Sequence, residues 1–277
     1  MDQFFLTLSS NSSMKVFGDN KTSHYRTLLP NKIELNGSYE VALMEVSYPF
    51  TFLHFAGGQE MFSVVFHSGR QIDIPLPHRY FNSPEDLLYH LNDVLDVSLH
   101  LTLTSEGYCS FHYASEHAIV DPNDKTPFAV RVRRVRKRGP GSPFSDPTDH
   151  VESVQMTPNL AAILGFMERV IVSGDIGKRA VNLHLGLPQQ LFYYCDVVEG
   201  QWVGDTIAPL LRVVNTKIKQ CIYGSTCTMS FTNPFYIPVL KRHFESIEIL
   251  IKDDKGLNPS FSHGTSTCVL HFRRRRS

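Results

Sequence analysis

Five cysteines, thirteen histidines and two dense arginine runs are the side chains of this 277-residue chain with reactive or binding capacity. The cysteines (Cys109, Cys195, Cys221, Cys227 and Cys268) are odd in number, scattered, and form no CxxC pair. That usage predicts buried, reduced thiols and not a disulfide framework. Cys195 beside Asp196 could serve as a nucleophile if a distant histidine approached it. It alternates within the aromatic stretch LFYYCDVV, however, and this pattern favours an inert, buried thiol. His112 and His117 flank an expected turn and His150 follows a Pro/Ser-rich loop, without the tight spacing of zinc ligands. The chain has no HExxH, no GxSxG, no phosphate loop and no Asp-rich calcium loop. Its residues predict neither an enzyme nor a cofactor site.

The arginine runs carry the stronger signal. VRVRRVRKRGPG holds Arg131, Arg133, Arg134, Arg136, Lys137 and Arg138, and the terminal CVLHFRRRRS holds Arg273, Arg274, Arg275 and Arg276. These are ten of the 27 basic residues, so the remaining body sets 17 bases against 27 acids, a net of minus ten. Charge segregated in this way points to a polyanion or an acidic partner surface. A solvated loop and tail that keep the protein soluble would leave the same pattern, and arginines on an edge strand also block unwanted strand pairing. No aromatics interleave with the bases and no recognition helix or zinc finger accompanies them. Any DNA contact would therefore neutralise phosphates without reading bases, and would be salt-sensitive.

Strands must position these residues. QFFLTL, YEVALMEVSY, LHLTLTS, YCSFHYA, LFYYCDVV and SIEILIKD are short β-branched or aromatic runs bounded by turn residues. Near the end, Ile247, Ile249 and Ile251 alternate, KDDKG offers a turn, and Cys268, Leu270 and Phe272 alternate again. This predicts a closing hairpin from which Arg273 to Arg276 leave as an exposed, flexible arm. Two helices are expected. FNSPEDLLYHLNDVLD has Ser83 as N-cap, Pro84 at the first helical position, and a stripe of Leu87, Leu88, Leu91, Val94 and Leu95. TPNLAAILGF has Thr157 as cap, Pro158 as start, Gly165 as left-handed stop, and Phe166 folding back.

The length allows one large domain or two ordinary ones. The reading is mainly β: a sandwich formed by 1–56 plus 167–277, interrupted by an α+β section at 57–166 that carries the basic loop 130–149. KRGPGSPFSDPTD within that loop is too rich in turn residues for a ladder. The opening MDQFFLTLSSNSS carries an acid where a signal peptide needs bases. No stretch reaches the roughly 20 apolar residues of a membrane span.

Several stretches match a known pattern. FFLTLSSNSS, followed by LPNKIELNGSYEVALMEVSYP, resembles the N-terminal signature of the minor capsid (penton-type) proteins of Polinton/Maverick elements and related adintovirus-like viruses. YYCDVVEGQWVGDTIAPLLRVV and FESIEILIKDDKGLNPSFSHGTSTCVLHFRR are similar to later blocks of that family. RYFNSPEDLLYHLN and NLAAILGF also fit, and the matches run in order over nearly the full chain. The basic loop has no counterpart in that pattern. The resemblance implies a single jelly-roll and a structural virion protein at the five-fold vertices. It implies a homopentamer beside a separate double-jelly-roll major capsid protein, assembled inside the host cell. On that reading Arg273 to Arg276 face packaged DNA or an acidic internal protein, and Arg131 to Arg138 lie on the vertex exterior or against neighbouring capsomers. Alternatives are a vertex spike, an internal cementing protein, or a sequence-nonspecific DNA-binding protein.

Overall fold

Apolar–polar alternation builds long strands at both ends of the chain and shorter ones between them. The computed structural model describes residues 2–55, 61–76, 78–95, 99–113, 150–216 and 220–275. The run from Arg131 to Arg138, and Arg276, lie outside the described residues. The chain begins with β1 (Gln3–Ser9), β2 (His24–Glu34) and β3 (Tyr39–Pro49). It continues through β4 (Met61–Phe66), β5 (Gln71–Pro75), α1 (Pro84–Val94), β6 (Leu99–Leu103), β7 (Tyr108–Tyr113) and β8 (Val151–Met156). Then come α2 (Pro158–Leu164), β9 (Val170–Ile171) and β10 (Ile176–Ala180). The chain closes with β11 (Gln190–Cys195), β12 (Gln201–Val203), β13 (Thr206–Ala208), β14 (Leu210–Asn215), β15 (Thr226–Ser230), β16 (Ile237–Pro238), β17 (His243–Asp253) and β18 (Thr267–Arg274). Two compact units result: Met1–Phe52 with Pro188–Ser277, and Leu53–Leu187. Residues 167–187 belong to the inserted unit because β9 pairs with β8 and β10 with β7.

The first unit is a sandwich of two antiparallel sheets, ordered β1-β18-β3-β15 and β14-β11-β17-β2, with β16 adding to β3. Numbering its eight principal strands by chain position, the orders are 1-8-3-6 and 5-4-7-2, the winding of a jelly roll. The fold class is therefore mainly β with a jelly-roll sandwich, and among the described residues no sheet closes into a barrel. Alternate residues of the strands face inward, and Tyr25, Tyr48, Tyr193, Ile249, Leu270 and Phe272 are fully buried. Side chains cross between the sheets. The Tyr25 hydroxyl of β2 donates to Cys268 Sγ of β18 at 3.2 Å, and Phe244 of β17 lies 5.9 Å from Phe272 of β18.

The expected closing hairpin is not formed. β17 pairs with β11 and β2, whereas β18 pairs with β1 and β3, so the two strands lie in opposite sheets. Alternation reports which residues face the core, and here both strands face the same core from opposite sides. The expected flexible arm is corrected as well. Arg273 and Arg274 are strand residues opposite Glu40 and Tyr39, and the Arg275 N–H donates to the Ser38 carbonyl.

The inserted unit has sheets β5-β4-β8-β9 and β10-β7-β6. Ser83 caps α1 by accepting from the Asp86 N–H, Pro84 starts the helix, and Leu87, Leu88 and Leu91 are buried. α2 ends at Gly165, which has φ 84°. A Cβ there would lie 1.9 Å from the Arg179 carbonyl oxygen, so only glycine fits. Phe166 is buried as expected, but the Thr157 side chain makes no cap hydrogen bond. Apart from Val94, which is exposed, both helix stripes join one cluster with Phe62, Val64, Leu101 and Phe111, which makes them core and not grooves.

Candidate functional site

Among the described residues no group of three or more His, Cys, Asp or Glu side chains could hold a metal ion. Cys195 and Cys268 are buried, and burial pushes each thiol up to about 12, far from a nucleophilic thiolate. Cys109 is raised to about 12 by the same cause. The expectation of five reduced thiols is corrected for one pair, because Cys221 and Cys227 are disulfide-bonded with Cα atoms 6.4 Å apart. His112 lies within β7, with Nε2 2.7 Å from Ser110 Oγ; His117 and the expected turn lie outside the described residues. A shallow cleft of about 210 Å3 in the inserted unit has Phe166 and Met167 in its lining and Arg169 and Arg179 beside them. It contains no acid, base or nucleophile that could turn over a substrate.

The C-terminal arginines are built into the sandwich. Arg273 Nε bonds Glu40 Oε1 at 2.6 Å, and its guanidinium sits 3.4 Å from the centre of the Tyr236 ring. The Tyr236 hydroxyl shares a 2.7 Å hydrogen bond with His271 Nδ1, and the Phe5 ring stacks on His271 at 4.3 Å. Burial, with the nearby Arg273 charge second, holds His271 below its ordinary pKa and therefore neutral at pH 7. Arg273 is thus partly neutralised by Glu40 and held flat against an aromatic face, as a structural cation is. Arg274 and Arg275 remain exposed beside it. Of the nine arginines and one lysine singled out from sequence, the structure describes Arg273, Arg274 and Arg275 only.

The sequence reading missed a second exposed feature. β12 and β13 form a hairpin in which Trp202 opposes Ile207 and Val203 opposes Thr206, leaving a two-residue turn at Gly204 and Asp205. Gly204 has the positive φ, 61°, that a type II′ hairpin needs at its first central residue. Trp202 is 80% exposed and Ile207 60% exposed. The Gly-Asp step between QWV and TIA was the available signal.

No protein-family model matches this chain, and no curated protein matches it. A solved structure does. The mavirus penton protein, in its selenomethionine-labelled crystal structure, matches with a TM-score of 0.50 and 8% sequence identity, over 99% of this chain and 99% of its own. The chain has a penton-like fold. The match extends through the sandwich and the inserted unit alike, since it leaves almost nothing of either chain uncovered. Among the described residues no helix is long and apolar enough to cross a membrane.

Proposed function

We propose that this chain is a structural virion protein: a minor capsid protein of the penton type, placed at the five-fold vertices of an icosahedral shell. The observation that carries the reading is the end-to-end fold match to a penton protein, insertion included. The jelly-roll strand order derived independently from the pairings supports it, as does the resemblance of the first 49 residues to Polinton-type minor capsid proteins. On this reading the partners are copies of the chain in a homopentamer and a double-jelly-roll major capsid protein, and the protein resides in the virion. Contact with packaged DNA falls to Arg274, Arg275 and Arg276, since Arg273 is engaged by Glu40 and Tyr236, and the 131–138 run faces outward or toward neighbouring capsomers.

Sedimentation velocity of the purified full chain tests this reading. A concentration-dependent species of five copies is the expected result. A strict monomer at the highest attainable concentration contradicts it.

A further inference from the structure

The large apolar side chains exposed on the sandwich unit fall into two groups at opposite sides. Phe5 stands on β1 and Leu28 on β2, with Met14 and Val16 in the segment joining those strands. Trp202 and Ile207 stand on the hairpin before β14 and Phe235 between β15 and β16, whereas Ile222 lies past the other end of β14. Strand order fixes the two sides. β1 and β2 are the end strands of their sheets on one side, and β15 and β14 on the other. Phe235 precedes β16, which pairs with β3 on the flank that β15 also uses. Among the remaining exposed apolar residues of this unit, Val213 and Leu240 also lie near the second side, and Leu257 lies on neither, in the connection between β17 and β18.

Two features decide what covers these groups. Trp202 is the chain's single tryptophan, and at 80% exposure it stands on a two-stranded hairpin, an element only marginally stable without further packing. A large aromatic side chain buries roughly 150–250 Å2, and Trp202 has Ile207 opposite it on the hairpin. That pair is a sizeable share of the about 800 Å2 per partner in a standard interface, and contiguous apolar surface on a monomer marks an interaction site. The second feature is that the groups are different and opposed. A two-fold dimer joins one patch to itself, whereas a closed ring joins one side of each copy to a different side of the next. Two unlike apolar sides on one sandwich match the ring.

We propose that the β12–β13 hairpin, led by Trp202 and Ile207, docks on the β1–β2 side of the next copy. There it meets Phe5, Met14 and Val16 in a head-to-tail contact that repeats around the ring. This rests on the self-assembly proposed above and names its contact. Arg274 borders the receiving side, since its N–H donates to the Asp2 carbonyl and its side chain is exposed. The acidic turn residue Asp205 of the incoming hairpin therefore has a cation to meet.

The single tryptophan makes the test direct. Intrinsic fluorescence and sedimentation are recorded on the full chain over the same concentration series. The expected result is water-exposed indole emission in the monomer and a blue shift that tracks ring formation. Trp202→Ala and Phe5→Asp each move the assembly midpoint at least tenfold higher, with circular dichroism unchanged, whereas Leu257→Ala leaves the midpoint where it was. Rings that form with unshifted emission, and with a wild-type midpoint for Trp202→Ala and Phe5→Asp, overturn this contact and leave self-assembly standing. A chain that stays monomeric overturns both. A blue shift that requires the major capsid protein, with this chain alone monomeric, assigns the hairpin to that partner and also overturns the contact between copies.

Discussion

The sandwich unit joins its sheets through a seam of tyrosine and cysteine side chains, whereas the inserted unit gathers leucine and phenylalanine around two helices. Tyr25, Tyr193, Cys195 and Cys268 lie in the seam, and burial is the first cause raising the pKa of each. In the inserted unit the buried titratable group of opposite behaviour is His54. Burial, and after it the neighbouring His184, lowers its pKa to about 4, while Asp86 opposes that shift. Its Nδ1 accepts from the Phe81 N–H at 3.1 Å, and its ring lies against Tyr80 and Phe81. The two regions therefore differ in balance. His54 weighs the inserted unit toward acid sensitivity, although the pKa of its Cys109 is also raised. The seam weighs the sandwich toward alkali sensitivity, although the pKa of its His271 is also lowered. Groups that stay protonated when folded cost stability in alkali, and a histidine that stays neutral when folded costs it in acid.

The largest expected effect falls on the inserted unit alone. Gly165→Val places a side chain at φ 84° and against the Arg179 carbonyl oxygen. The backbone strain and the clash together cost about 3–5 kcal/mol. Hydrogen exchange should lose protection across 53–187 while β3, β11, β17 and β18 keep theirs. Equal loss in both units would break the comparison.

The acid effect comes next. Between the ordinary histidine value and about 4, the unfolded chain binds a proton at His54 that the folded unit does not. Stability of the inserted unit is therefore complete above about pH 6.5 and falls by about 3 kcal/mol as pH drops to 4. Exchange rates corrected for intrinsic pH dependence should show a steeper slope in 53–187 than in the sandwich, where the pKa of His271 is also lowered. In alkali the order reverses. From about pH 8.5 upward the unfolded chain releases thiol and phenol protons that the folded state retains. The sandwich, with four such seam groups, loses more stability than the inserted unit with Cys109. A single cooperative transition at both extremes would show that the two units do not respond separately.

The smallest effect separates two tyrosines of one seam. Tyr25→Phe removes the hydroxyl that bonds Cys268 and should cost about 1 kcal/mol. The Tyr193 hydroxyl is buried without a hydrogen-bond partner. Tyr193→Phe should therefore be neutral or stabilising by up to about 1 kcal/mol. Paired denaturant melts decide it, and equal losses would mean that the seam acts by packing alone.

Local rules made the helices legible. Ser83, Pro84 and the Leu87–Leu91 stripe, and Gly165 after α2, each act within a few residues along the chain. Strand partners were not legible, because the jelly roll pairs β1 with β18, the two ends of the chain. Ile249 and Leu270 could be read as inward-facing, but not as facing each other from different sheets. The terminal charge run was visible in the sequence. Its anchoring was not, because the Arg273–Glu40 bond spans 233 residues. Trp202 was hidden for the opposite reason: an apolar residue in a short alternating run reads as core, and only the fold shows it facing outward.

The account stands or falls on where copies of this chain sit in an assembled particle, and electron cryomicroscopy of that particle measures this directly. Density at each five-fold axis should fit five copies of the sandwich with its inserted unit, adjacent copies meeting through the β12–β13 hairpin. Vertices occupied by a different fold, with this chain on the faces of the shell or missing from it, would contradict the account.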